Sequence, residues 1–195
     1  MNRILTPDLR TLTPHLPMGS AGLSGPRCLL VCGLIVATKE LLARAEETLR
    51  MEFGEVEERS QTIDFGFTHY YEPEMGPGLL RCWLAFSDPV DAGVLAEAKL
   101  KTNELEPRFA DEDGNRKVNL DPGLLSAHNL VLATTKDFGH RVYLGRGIFA
   151  ETTLIYEEGE FRPLDWTYPD YRDPACLDFL ARCRDRLLDS GRLGN

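Results

Sequence analysis

The apolar run CLLVCGLIVA, at positions 28 to 37, is the feature that most constrains how this chain can fold. It is too short to cross a bilayer, which takes about twenty residues. It leads directly into TKELLARAEETL, where leucine and alanine recur at helical spacing. Thr38 is placed to cap that helix and Gly54 to end it. The pattern predicts a strand buried on both faces, followed by an amphipathic helix.

The next elements repeat this alternation. An extended segment at 55 to 68 and the strand LLRCWLAF precede a second helix, which we expect Asp88 to cap with Pro89 at its first position. RKVNL then reads as a short strand, and Pro122 and Gly123 suit the central positions of a type II turn. The order strand, helix, strand, strand, helix, strand predicts a ferredoxin-like (split βαβ) antiparallel sheet.

The remaining segments extend that core. NLVLATT, HRVYL, IFAETTLIY and EFRPL predict a C-terminal β-meander, and Asp173 with Pro174 begins a final helix. Residues 1–27, rich in Pro, Gly, Ser and Thr, are expected to form a flexible tail. We therefore predict an α+β protein with one domain over residues 28–195.

Charge and cysteine content exclude several classes of protein. The net charge of -9, from 31 acidic and 22 basic residues, would repel a nucleic acid. The five cysteines lack the two-residue spacing of zinc knuckles and redox dithiols, and their odd number argues against a disulfide framework. We expect a cytoplasmic protein with no membrane segment.

The segment ATTKDFGHRVYLGRG, at 133 to 147, gathers cations against this acidic background. Lys136, His140, Arg141 and Arg146, with the backbone amides of GRG, would neutralise a phosphate or carboxylate. The predicted ligand-binding set is Lys136, Arg141, Arg146, Thr135 and Asp121. The partner would be a small, phosphate- or nucleotide-like anion. The alternative is a solvated rim, in which Lys and Arg protect exposed strands.

Acid–base chemistry is a second hypothesis for the same region. The predicted catalytic set is His140, Glu151 and Asp137, with Asp137 orienting a cation and Glu151 transferring the proton. The same His and Glu, joined by His69 or Asp121, could bind a divalent metal. No local His-x-x-x-His pair supports that reading, so no metal is predicted and the cofactor stays unassigned. The alternative is a surface histidine and a structural strand glutamate.

A GTPase is not supported. Lys136 and Asp137 are adjacent in TTKD, whereas the guanine-reading signature separates Lys and Asp by one residue. The chain also has no Walker A loop, and the Asp111 to Gly114 spacing alone is common by chance.

Two aromatic turns offer a different class of function. Tyr70 to Met75 and Trp166 to Tyr171 place aromatic side chains beside prolines. Such residues usually lock loops over a core. They could instead make the protein a non-enzymatic interaction module that docks a protein partner.

Taken in order, HYYEPEMG, KTNELE, VNLDPG, LATTKD, HRVYLGRGIFAE and WTYPDYR resemble the prokaryotic domain of unknown function 4416 family. The resemblance spans about residues 28 to 185. It implies no established activity and no catalytic residue, but it groups the polar segments as one candidate site.

Overall fold

The computed structural model describes residues 27 to 192, with side chains through residue 189. Within that range the α-helices are α1 (Lys39–Phe53), α2 (Glu72–Met75), α3 (Leu95–Leu105) and α4 (Pro174–Arg192). The strands are β1 (Arg27–Val36), β2 (Val56–Arg59), β3 (Ile63–Asp64), β4 (Leu80–Phe86), β5 (Val90–Asp91), β6 (Val118–Leu125), β7 (Asn129–Thr134), β8 (Val142–Gly145), β9 (Ile148–Glu157) and β10 (Glu160–Pro163). The predicted tail at residues 1–27 lies outside the described residues, except for Arg27.

These strands form one antiparallel sheet, which makes the protein α+β as predicted. The main path runs β10-β9-β7-β6-β1-β4-β2, and β3, β5 and β8 pair with β4, β1 and β9. β1 is an interior strand, between β4 and β6. The most apolar run of the sequence therefore occupies the most protected strand, as its composition predicts.

Helices cover both faces of the sheet. Leu30 and Leu34 of β1 pack in a core cluster with α1 and α3. Leu29 and Val31 point the other way, into a cluster with α4. Successive strand residues face opposite sides, so one apolar strand serves two cores.

The first helix begins and ends where the sequence predicts. The Thr38 hydroxyl accepts a hydrogen bond from the Leu41 amide at 3.2 Å, and α1 ends at Gly54 with φ of 102°. The prediction for the second long helix was wrong at its start. Asp91, not Asp88, caps the 3₁₀ turn Ala92–Val94 that leads into α3, by accepting from the Gly93 amide at 2.7 Å. The start lies later than predicted because the chain first pairs with β1 through β5.

Pro122 and Gly123 do not form the predicted type II turn, because both lie within β6. The glycine is needed for packing instead. A Cβ on Gly123 would stand 2.7 Å from Leu132 Cδ2 and 2.9 Å from the Val131 carbonyl oxygen. Glycine thus allows the neighbouring strand β7 to approach closely.

Strands β6 and β7 pair along only part of their length. β6 contacts β1 from Val118 to Leu125 but pairs with β7 only from Gly123 to Leu125. We call the opening beyond Gly123 the β6–β7 gap. At this edge the Leu120 amide donates to Glu106 Oε1 at 2.7 Å, and the Leu120 carbonyl accepts from Lys99 Nζ at 2.8 Å. Two side chains thus satisfy the backbone that a strand would otherwise pair.

The helices and the cysteines of the described residues bear on the expected setting of the protein in the cell. None of the helices there is long and apolar enough to span a membrane. All five cysteine side chains are buried. Burial raises the pKa of the Cys183 thiol to about 12, so this thiol is not a ready nucleophile.

Candidate functional site

A cavity of about 530 Å³ lies at the β6–β7 gap. Segments that were predicted as aromatic turns form two of its walls, one before and within α2 and the other before α4. Its aromatic lining consists of Phe65, Phe67, Tyr70, Tyr71, Tyr168 and Tyr171. Its charged lining consists of Lys99, Arg116, Asp121, Lys136, Glu151 and Asp170. Thr134 and Thr135 add hydroxyl groups, and Asn119 adds an amide.

Lys136 follows β7 and differs from the other two cations of the lining. Lys99 lies 3.7 Å from Asp121, and Arg116 lies 2.9 Å from Glu74 and 3.1 Å from Glu106. Lys136 Nζ instead donates to the Tyr70 hydroxyl at 3.2 Å and stands 4.4 Å from the centre of that ring. It forms no ion pair with a carboxylate in the described part of the chain, so its charge is available to a ligand.

Glu151 of β9 is only 1% exposed and uses its two oxygens differently. Its Oε2 accepts from Arg141 Nε at 2.8 Å and lies 2.9 Å from His140 Nε2. Its Oε1 is buried and has no hydrogen-bond partner among the residues described. The His140 ring stacks on Trp166, with centroids 4.7 Å apart and an interplanar angle of 13°. The carboxylate is thus fixed by one oxygen and left with unused acceptor capacity at the other.

Arg141 holds the loop and the wall of the cavity together. Its Nη1 donates to the Lys136 carbonyl and its Nη2 to the Tyr168 hydroxyl, each at 2.9 Å. With Nε bound to Glu151, each part of the guanidinium has a protein partner. Arg141 is not among the lining residues. Arg141 therefore contacts three residues that line the cavity without lining it itself.

A fully buried arginine of the sheet, Arg81, contacts residues that line the cavity. Arg81 of β4 is fully buried, with its guanidinium carbon 4.7 Å from the Trp83 ring centre and 5.0 Å from that of Tyr171. Its Nη2 lies 2.8 Å from Asp170 Oδ2, and its Nη1 lies 3.8 Å from Asp121 Oδ2. Burial would lower the pKa of Arg81, but the charge of Asp170 foremost, with Asp121, raises it, so it stays protonated.

Gly33 makes room for this arrangement. A Cβ there would come within 2.7 Å of the Tyr171 hydroxyl and 2.8 Å of Arg81 Nη2. Burial also raises the pKa of the Asp170 carboxyl, and Arg81 acts against that rise. The pKa of Tyr171 is raised by burial too, so the phenol is neutral. Its buried hydroxyl has no hydrogen-bond partner within the described range.

The structure separates the predicted site residues into three groups. Asp121, Thr135, Lys136 and Glu151 line one cavity. His140 and Arg141 contact Glu151 from outside the lining.

Asp137 and Arg146 do not join the cavity. Asp137 is exposed in the loop after β7, and Lys136 belongs to the same loop. Arg146 stands in the turn between β8 and β9 and pairs with Glu97 of α3.

Four charged residues of the site were not predicted from the sequence: Arg81, Lys99, Arg116 and Asp170. Arg81 interrupts the apolar strand LLRCWLAF, and Lys99 occupies a buried position of α3 beside Ala98. A charge inside an apolar pattern signals a buried polar partner. The identity of that partner could not be read locally, because Asp170 lies far along the chain.

The metal hypothesis gains no support. No group of three or more His, Cys, Asp and Glu side chains in residues 27 to 189 is arranged to hold a metal ion. His69 pairs with Glu72 at 2.7 Å rather than with Glu151. Asp111 accepts from the Asn115 amide and pairs with Lys117 at 3.0 Å, so its carboxylate is engaged within its own loop and by a neighbouring lysine.

Comparison with known proteins places the chain at the level of family only. No curated protein gives a significant match, and no solved structure does so either. The model of the family described as domain of unknown function (DUF4416) matches residues 26–187. That range includes the β6–β7 gap and every residue that lines the cavity. The chain therefore belongs to the domain of unknown function 4416 family.

Proposed function

We propose that the cavity binds a small organic anion whose negative group is received by Lys136. The observation that supports this proposal is that Lys136, unlike Lys99 and Arg116, has a phenol hydroxyl rather than a carboxylate as its side-chain partner. A cation without a counter-ion beside a partly enclosed cavity favours an anionic ligand. The hydroxyl groups of Thr134 and Thr135 supply donors beside it.

The aromatic walls suit the rest of such a ligand. Phe65 and Tyr71 pack edge to face, with ring centroids 5.7 Å apart, and Tyr168 faces the cavity from the second wall. Burial of an apolar body against these rings would supply most of the binding free energy, while Lys136 would set its orientation. A phosphate or carboxylate on a flat ring combines both properties.

Acid–base chemistry at this site would fall to Glu151. His140 and Arg141 occupy its Oε2, which leaves Oε1 as the atom able to accept a proton from a bound molecule. In this scheme His140 and Arg141 position the carboxylate. Asp137 and Arg146 take no part, since neither lines the cavity.

The experiment compares Lys136→Met with Lys39→Met, an exposed lysine of α1. Binding of benzoate and phenyl phosphate is measured by ligand-observed NMR and by the shift in melting temperature. We expect Lys136→Met to weaken binding about tenfold, the size of one charge-assisted hydrogen bond, and Lys39→Met to leave it unchanged. Equal binding to both variants, or no binding of either anion to the native protein, contradicts the proposal.

We also propose a more specific fold for the core of the sheet. The order β6-β1-β4-β2, with α1 and α3 packed in one cluster, supports a ferredoxin-like core to which β7 to β10 and α4 are added. Five buried thiols support a cytoplasmic, reducing setting.

An interaction module is the second candidate. It is favoured by two exposed aromatic side chains: Tyr70, which lines the cavity, and Trp166, which stacks on His140. Tyr70 is 62% exposed and Trp166 is 40% exposed. Trp166 Nε1 donates to the Thr152 carbonyl at 2.8 Å, which holds the indole in place. A protein partner that binds to Tyr70 and Trp166 would bind the Trp166→Ala variant more weakly. Its affinity would not change on Lys136→Met. The reverse pattern for a small anion separates the two functions.

A further inference from the structure

We infer that the ligand carries an N–H donor group in addition to its anion, and that Glu151 Oε1 receives this group. The inference rests on the proposed function, since it describes a second contact made by the same molecule in the same cavity. It narrows the ligand class from organic anions to aromatic anions with an amino group.

The first support is the unused acceptor on Glu151. A carboxylate oxygen removed from water without a hydrogen-bond donor destabilises the fold, so folded proteins rarely leave one. Here Oε2 takes the contacts of both His140 and Arg141 while Oε1 takes none. A bound donor would remove that cost.

The second support is the charge balance around the cavity. Asp170 pairs with Arg81, and Asp121 lies between Arg81 and Lys99. Arg141 balances the charge of Glu151 without filling its hydrogen-bonding capacity. What the carboxylate lacks is therefore a donor, and a neutral amine suffices.

The third support comes from another wall. The Tyr171 hydroxyl belongs to a lining residue and, like Glu151 Oε1, is buried without a partner in the described range. Arg81 and Trp83, which pack against Tyr171, also have buried polar atoms without a hydrogen-bond partner in that range. A polar ligand group that reached the Tyr171 hydroxyl would supply one of the missing hydrogen bonds.

Glu151→Gln provides a test with a definite sign. Because Arg141 and His140 approach Oε2, the amide oxygen of glutamine would stay on their side and its NH₂ would replace Oε1. A donor would then face the ligand's donor. The variant should reject amino-bearing ligands yet keep those that lack the amino group. Glu157→Gln, an exposed position on the same strand, is the matched control.

The probes are 4-methylbenzoate, 4-aminobenzoate and 4-(aminomethyl)benzoate, with dissociation constants measured by ligand-observed NMR. We expect 4-aminobenzoate to bind the native protein about tenfold more tightly than 4-methylbenzoate. Glu151→Gln should abolish that difference, and Glu157→Gln should preserve it. Tighter binding of the aminomethyl compound identifies a charged donor, and tighter binding of the aniline a neutral one.

Two results overturn the inference in different ways. Equal binding of the methyl and amino compounds to the native protein overturns it while leaving the proposed anion site standing, and this comparison needs no variant. Absence of binding by all three compounds contradicts the proposed function as well.

Discussion

The two halves of β6 show how the same strand can close a sheet or open a site. From Gly123 onward the strand pairs with β7, and its glycine lets the neighbouring strand approach. Before that point, Lys99 and Glu106 satisfy the backbone of Leu120 in place of a strand. Pro122 stands between the halves and has no N–H to donate. A sheet can therefore hold a cavity within its width when side chains replace strand partners.

This comparison predicts the largest loss of stability for Lys99→Met. The substitution leaves the Leu120 carbonyl without its donor and removes a buried positive charge beside Asp121. We expect the free energy of unfolding in urea to fall by about 3 kcal/mol. Lys101→Met, two residues along α3, removes surface ion pairs and should cost less than about 1 kcal/mol. Similar losses for both variants would show that Lys99 does not replace a strand partner.

Gly123→Ala tests the paired half. The added Cβ would press on Leu132 and on the Val131 carbonyl, so the strands must move apart. We expect a loss of about 1–3 kcal/mol, typical of overpacking, in the same urea measurement. Gly66→Ala is the control, because a Cβ there meets no atom within 4 Å. A neutral Gly123→Ala would mean that close approach is not what the glycine provides.

A pH titration sharpens the role of Glu106. Burial raises the pKa of its carboxyl although Lys99 and Arg116 act against the rise. The unfolded chain, in which the pKa of this carboxyl is about 4.3, releases its proton first as pH rises. Over the pH interval just above that value, the native state still keeps the proton. As pH rises through that interval, native stability falls relative to a variant without the group. The cost of Glu106→Gln should therefore be smaller at neutral than at acidic pH.

The matched variant for that titration is Glu104→Gln, at an exposed position of α3. Urea unfolding of all three proteins is followed across the interval from acidic to neutral pH. A cost of Glu106→Gln that grows with rising pH would contradict the assignment of burial as the dominant influence on this carboxyl.

The smallest effect is expected for Tyr171→Phe. The hydroxyl removed has no hydrogen-bond partner in the described structure, so its loss should change stability by no more than about 0.5 kcal/mol. Tyr156→Phe breaks a hydrogen bond of 2.8 Å to the Gly159 carbonyl and should cost more, about 1 kcal/mol. Thermal and urea unfolding of the two variants give the comparison. A greater loss at Tyr171 would reveal a protein partner for its hydroxyl.

Local sequence patterns predicted the helices and strands better than the contacts between them. The apolar run of β1 and the stripe of α1 were correct because hydrophobic spacing alone decides them. Pro122 and Gly123 were misread as a turn because their role depends on β7, which comes later in the chain. The β6–β7 gap is likewise a product of long-range pairing, which no short window contains.

The candidate site divides in the same way. Lys136, Thr135, Glu151 and Asp121 could be selected because polar groups stood out near strand ends, and all four line the cavity. Arg81 and Asp170 are distant in sequence, so their ion pair is visible only in three dimensions. Arg146 carried the right charge, but the turn between β8 and β9 directs it to Glu97.

The stack of His140 on Trp166 also has an optical consequence. The chain has two tryptophans: Trp83 is enclosed beside Arg81, whereas Trp166 is exposed on one side and stacks on His140. Soluble quenchers would therefore reach the indole of Trp166 far more easily than the indole of Trp83. The fraction of the fluorescence that they quench therefore reports on the surroundings of Trp166, where His140 is held against Glu151.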